Sequence, residues 1–202
     1  MVFASVFLTV NFALKILLNG DDITLQSCKI GDMKRCLKTI DYLKDSCDMG
    51  GSQSCGTLGY IYENGFGVGV NIKLAIAFYK KSCDLRGAFG CVNLGAIYAS
   101  IKNYKDANSY FDRACELRNA DGCFNLGISY FYGYGVSESE ICAKMRFNDA
   151  LELYVELCKK GNASACKSVA DIYSDGIIMD IDKTQSQYFL QKACKIDKNI
   201  CE

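Results

Sequence analysis

The 202-residue chain predicts an all-α fold, an array of short antiparallel helical hairpins stapled by disulfides. Three observations lead there. Cysteines recur in pairs at a near-fixed spacing, from Cys47 onward the pairs recur every 32 to 43 residues, and each of those intervals repeats a small residue with an aromatic three positions later.

The pairs are Cys28 and Cys36, Cys47 and Cys55, Cys83 and Cys91, Cys115 and Cys123, and Cys158 and Cys166, each eight positions apart. Cys194 and Cys201 lie seven apart, and Cys142 is left over. Two residues eight apart on one helix stand about 12 Å apart along its axis, whereas a disulfide needs Cα atoms within about 7 Å. If each pair is bridged, the chain must reverse between its members, the first cysteine ending one helix and the second lying early in the next. Gly87 and Gly90, Gly122, and Gly161 with Asn162 fall in those intervals, as helix C-caps and turns require. Closing a loop this small is worth roughly 2.5 kcal/mol per bridge on the chain-entropy model. Structural zinc sites use closer cysteine pairs, commonly with His, and redox motifs use C-x-x-C; the chain has neither spacing and no His, so no metal and no cofactor is expected.

Taken in order, the elements begin with an apolar segment, residues 1–22. From Met1 to Asn19 the only charge is Lys15. Such a stretch serves as a signal sequence, a membrane anchor or a buried helix. The cysteines weigh toward a signal peptide, because disulfides persist in oxidising compartments. A positive start and an A-x-A-like site before Asp21 and Asp22 are missing, which keeps a packed helix or a misassigned start open. A capping element over 23–46 follows, then repeats at about 47–82, 83–114, 115–157 and 158–193, and a remnant over 194–202.

Aligned on the first cysteine, the repeats carry Gly59 with Tyr62, Gly95 with Tyr98, Gly127 with Tyr130, and Ala170 with Tyr173. Leu58, Leu94, Leu126 or Val169 precedes the small residue, and Ala75, Ala107, Ala150 or Ser186 stands eight before the closing cysteine. Small residues fit where two helix axes approach, and the aromatics are expected to fill the gap to the neighbouring hairpin. In the first repeat the helices run about Ser52 to Asn64 and Ile72 to Leu85. Their loop, Gly65-Phe66-Gly67-Val68, recurs as Gly133-Tyr134-Gly135-Val136, with glycines supplying positive φ. These G-x-G loops follow no β-strand, which makes them turns rather than phosphate cradles. Repeat two has lost the loop. Repeat three gains about seven residues, placed between Ser137 and Arg146 and carrying Cys142.

The segments Asn93 to Tyr98 and Asn125 to Tyr130, the G-x-G-V loop and the K-A-C or R-A-C endings resemble Sel1-like repeats. A C-x7-C pair in each unit is similar to the Helicobacter cysteine-rich protein family in particular. The resemblance covers residues 28 to 202, with Ala170 and the loop Asp175-Gly176-Ile177-Ile178 as departures. It implies a right-handed α-solenoid with bridges between successive hairpins, exported to the periplasm or beyond the cell. It also implies two functional readings, an adaptor holding protein or extended peptide in a concave groove, and a penicillin-binding protein with weak β-lactamase activity, whose ligand would be a β-lactam or a peptidoglycan-related molecule.

Composition trims these. Acidic and basic residues balance at 23 each without a long run of one sign, so no nucleic-acid partner is expected. A serine β-lactamase needs S-x-x-K with further motifs. Ser164-Ala165-Cys166-Lys167 is one match, but it overlaps a ladder cysteine and neither S-D-N nor K-T-G accompanies it, so no catalytic residue is assigned. Asp171, Asp175 and Glu63 read as a solvated groove wall. The expected state is a monomer with no membrane span after processing; a cytosolic adaptor with reduced cysteines is the third reading.

The tetratricopeptide-like template places Thr57, Tyr60 and Glu63, then Val92, Asn93, Ala96 and Ala99, then Phe124, Asn125, Ile128 and Phe131, and finally Lys167, Ser168, Asp171 and Ser174 on the concave side. Asn93 and Asn125 matter most, because an amide offers donor and acceptor to the backbone of an extended peptide; a local cap is their other reading. Tyr60, Phe124, Ile128, Phe131 and Asp171 complete the candidate binding groove. Phe124, Ile128, Phe131 and Tyr132 form an apolar stretch suited either to a ligand side chain or to packing on the next repeat.

Overall fold

The computed structural model describes Cys28 and residues 33–175 and 181–201. The predicted signal peptide over 1–22 and the loop residues Gly176, Ile177 and Ile178 lie outside them. Among the described residues there are nine α-helices and no strand. They are α1 (Met33–Asp48), α2 (Ser52–Asn64), α3 (Ile72–Asp84), α4 (Ala88–Ser100), α5 (Tyr104–Glu116), α6 (Ala120–Tyr132), α7 (Glu140–Lys159), α8 (Ala163–Asp175) and α9 (Lys183–Ile196), followed by a 3₁₀ turn at Lys198–Ile200. No helix of the described residues is long and apolar enough to cross a membrane. The chain forms two compact units, one ending at Gly122 and one starting at Cys123. The first holds α1 and the hairpins α2/α3 and α4/α5; the second holds most of α6, with α7, and the hairpin α8/α9.

Each hairpin closes in the same way. The residue that caps the second helix donates its backbone N–H to the carbonyl of the repeated tyrosine, Asn71 to Tyr62 (2.8 Å), Asn103 to Tyr98 (2.9 Å), Ser139 to Tyr130 (2.9 Å) and Asp182 to Tyr173 (3.0 Å). The same Asn, Ser or Asp side chain accepts from a first-turn N–H, at Leu74, Asp106, Cys142 and Gln185 respectively. Gly65 ends α2 in the left-handed region at φ 72°, and its N–H bonds the Ile61 carbonyl.

A second turn joins successive hairpins. After Cys47, Cys83, Cys115 and Cys158 the chain turns through a left-handed residue, namely Gly50, Arg86, Arg118 or Gly161, whose N–H bonds that cysteine's carbonyl. The next helix then begins at once, which brings the paired cysteines to Cα separations of 4.6–4.8 Å in the bridges Cys47–Cys55, Cys83–Cys91 and Cys158–Cys166, and Cys28 is bridged to Cys36 at 4.6 Å. Cys194 is bridged to Cys201, Cys115 and Cys123 are both disulfide-bonded, and Cys142 is free. The expectation that Gly90 and Gly122 serve the turns is corrected. Both sit inside helices, and a Cβ on Gly122 would lie 2.6 Å from the Ala114 methyl, so they are small because two helices touch there.

The repeated small residue meets a ring on the second helix. A Cβ on Gly59 would lie 2.5 Å from the Tyr79 ring, one on Gly95 2.6 Å from Phe111, and one on Gly127 2.6 Å from Phe147. Tyr79, Phe111 and Phe147 are accordingly at most 1 % exposed. Three of the four repeated tyrosines, expected to fill the gap to the neighbouring hairpin, stack within their own: Tyr62 on Phe78 (5.6 Å, 7°), Tyr98 on Tyr110 (5.5 Å, 12°) and Tyr173 on Phe189 (6.1 Å, 11°). In those three hairpins the ring and the backbone carbonyl of one residue both tie the first helix to the second.

The glycine-to-ring contact also relocates the insertion. Gly59 to Tyr79 and Gly127 to Phe147 are the same distance along the chain, so the loop and cap of the third hairpin match the first residue for residue. The extra residues therefore follow Phe147 and lengthen α7 to 20 residues against 13 in α3 and α5. Seven residues are close to two helical turns, so the added stretch re-enters the core on the same face, and Leu153 and Tyr154 are buried beside Ala150. Cys142 occupies the ordinary position of Leu74, in the first turn of the helix rather than in an inserted loop.

Candidate functional site

The first helices of the hairpins, α2, α4, α6 and α8, carry the predicted groove residues. Their packing demands are unequal along their length, which sorts the candidates. In the first unit Tyr60 is 6 % exposed, with its ring 5.6 Å from Phe66 and 6.5 Å from Phe89; burial, helped by the charge of Glu63, raises its hydroxyl pKa. Thr57 is buried and turns its hydroxyl back to the Gln53 carbonyl at 3.0 Å. Asn93 is 3 % exposed, and its Nδ2 donates to the Phe89 carbonyl one turn earlier at 2.7 Å. Val92 and Ala99 are enclosed, whereas Ala96 is half-buried.

One polar contact in this unit was not anticipated. Tyr79, enclosed on the second helix, donates its hydroxyl to Glu63 Oε2 at 2.7 Å. Burial first, then the Glu63 charge and this hydrogen bond, push the Tyr79 pKa far upward. Glu63 therefore acts as a structural acceptor at the end of α2, beyond the solvated wall expected of it. The signal was present in the sequence as Tyr79 four residues before Cys83, but its partner is sixteen positions away and only the hairpin brings them together.

In the second unit Asn125 is 6 % exposed and its carbonyl accepts from Ser129 at 3.1 Å. Ile128 is enclosed, and the Phe124 ring lies 5.4 Å from Phe147 while keeping a half-buried edge. Of the apolar stretch, Tyr132 is exposed and Phe131 partly so; they meet edge to face at 4.9 Å, and Tyr132 stacks on Tyr134 at 5.5 Å. On α8, Lys167 Nζ pairs with Asp171 Oδ2 at 2.7 Å, both half-exposed, and Ser174 bonds the Asp171 carbonyl. Asp175 has its carboxyl pKa raised by burial and by the Asp171 charge. The lysine of the Ser164 to Lys167 motif is thus engaged by a carboxylate one turn further along. These partly exposed side chains, Phe124 and Phe131 on α6 and Lys167 and Asp171 on α8, offer ring edges and one ion pair.

Known proteins share this arrangement. A family model described as the Sel1 repeat matches residues 54–86, 88–119, 120–141 and 163–197. The third match stops in the first turn of α7, the helix that the insertion lengthens. Among solved structures, a protective antigen of uropathogenic Escherichia coli strains displaying an SLR fold is similar at 28 % identity and a TM-score of 0.60, over 81 % of this chain and 34 % of its own. The chain therefore spans about a third of that structure's length. A Sel1 repeat protein from Oxalobacter formigenes is similar in fold, at 19 % identity and a TM-score of 0.55, over 85 % of this chain and 84 % of its own. No curated protein sequence matches significantly.

Proposed function

The chain belongs to the Sel1 repeat family, and we propose that it is a secreted or periplasmic scaffold binding protein or extended peptide along its first helices. The observation that carries this reading is the division of labour within a hairpin. Bridges, glycine-to-ring contacts and capped loops immobilise the helices, while Phe124, Phe131, Lys167 and Asp171 stay half-exposed. A surface ordered before binding loses little conformational entropy when a partner arrives, so more of its contact energy becomes affinity. Asn93 and Asn125 supply polar edges in this scheme rather than free side chains, being buried to 3 % and 6 % exposure.

The bridges support this compartment, since several disulfides in one chain suit an oxidising, extracytoplasmic environment. Their C-x7-C spacing supports placing the chain in the Helicobacter cysteine-rich branch of the family, with the monomer as the binding unit. The penicillin-binding reading of that branch gains nothing from Ser164 and Lys167, because the ammonium is paired with Asp171.

The test is selection of peptides from a random displayed library on the oxidised full chain. Affinities of the selected peptides for Phe131→Ser and Asp171→Ala, each checked for unchanged melting, are expected to fall by about tenfold or more. Failure to select any peptide, or equal binding by both variants, would contradict the proposal.

A further inference from the structure

The loop end of the third hairpin bears a pocket whose lining differs from the residues at the same positions of the first. Its volume is about 320 Å³, and Phe131, Tyr132, Glu138 and Glu140 line it. The corresponding residues of the first hairpin are Glu63, Asn64, Val70 and Ile72, counted from Gly127 and Gly59. The loop glycine Gly133, at φ 68°, turns the chain so that Glu138 folds back over it; a Cβ there would meet the Glu138 Cβ at 3.6 Å.

The pocket joins two features that select a cation. Its apolar wall is aromatic, with Phe131 and Tyr132 at 84° to each other and Tyr132 stacked on Tyr134 at 24°. Ring faces carry negative quadrupole density and attract cations, and a planar guanidinium also stacks on them. Its other wall is anionic. Glu140 is already paired with Lys144 at 2.7 Å and sits in the first turn of α7, where the helix dipole favours its charge. Glu138 is exposed and makes no ion pair among the described residues, so its charge is open to a ligand.

We propose that this pocket receives an arginine side chain of a partner polypeptide, the guanidinium lying against Tyr132 and pairing with Glu138. The site rests on the reading that the chain binds polypeptide, and it names one anchor of that partner. Arginine suits it better than lysine, since a fork of donors can meet the carboxylate while the plane covers a ring.

The probe is the blocked pentapeptide Gly-Ser-Arg-Ser-Gly, with citrulline in place of arginine as the neutral isostere, titrated at millimolar concentration into the isotopically labelled, oxidised full chain and followed by amide chemical shifts. The arginine peptide is expected to shift residues 131–140 saturably, and the citrulline peptide to bind about tenfold more weakly. Glu138→Gln and Tyr132→Ala should each weaken binding by about fivefold or more, with shifts elsewhere unchanged, while Glu152→Gln leaves it intact. Absence of saturable shifts, equal binding of citrulline, or indifference to Glu138→Gln would overturn the proposal. If library-selected peptides still bind while this probe does not, the arginine site fails and the scaffold reading stands.

Discussion

The first and third hairpins are the same object with opposite chemistry at one end. Gly59 faces Tyr79 as Gly127 faces Phe147, Asn71 and Ser139 cap their second helices alike, and each cap bonds a tyrosine carbonyl, that of Tyr62 or Tyr130. Where the first hairpin closes its end with a tyrosine-to-carboxylate hydrogen bond, the third has phenylalanine at both positions, Phe131 and Phe147. The exchange is concerted: losing the hydroxyl removes the need for its acceptor, and the position of Glu63 becomes available for a ring facing a pocket. What persists between the two is whatever fixes the backbone; what varies is the side chains at the loop end.

The shared part of the comparison is expected to break with the largest effect. Gly59→Leu and Gly127→Leu each drive a branched side chain into an enclosed ring, at a cost of about 3 kcal/mol or more in chemical denaturation. The two costs should agree within about 1 kcal/mol, because the contacts agree; a large difference would mean that the hairpins are not in the same register.

The divergent part has a smaller and reversible effect. Tyr79→Phe removes the bond to Glu63 and is expected to cost about 1–2 kcal/mol. Adding Glu63→Phe, the pair that the third hairpin uses, should recover most of it. The Tyr79 pKa is raised on folding, so its contribution is fully present below about pH 10, where the unfolded phenol is still protonated, and declines as pH rises above that. Denaturation of the three proteins across that range checks both points; additive losses in the double variant would contradict the concerted exchange.

Much of this architecture was legible because it is periodic. The cysteine ladder and the glycine and aromatic spacing set the hairpins, and the helix bounds in the first repeat came within one residue of α2 and α3. Errors arose where one residue type answers two physical demands. Glycine marks both left-handed turns and helix contacts, so Gly90 and Gly122 read as turn residues, while Arg86 and Arg118 take left-handed geometry that their side chains do not advertise. The insertion was misplaced because alignment on Cys158 follows the disulfide, whereas the hairpin is registered by Gly127 on Phe147. Counting the interval from each small residue to the next buried ring would have found it. The groove was the least legible part, since template positions do not report burial. Val92, Asn93 and Ile128 are enclosed where Phe131 is only partly so, and which of them a neighbouring helix covers depends on residues far along the chain.

The central claim is that a fixed scaffold carries recognition in its exposed side chains, and exchanging those side chains tests it most directly. Tyr132→Asn with Glu138→Val gives the third hairpin the residues of the first at two exposed positions. The account predicts a stability change within about 0.5 kcal/mol, as for surface sites, together with at least about a tenfold loss of affinity for library-selected peptides that compete with the arginine pentapeptide. Unchanged affinity in a protein that still melts normally would contradict it.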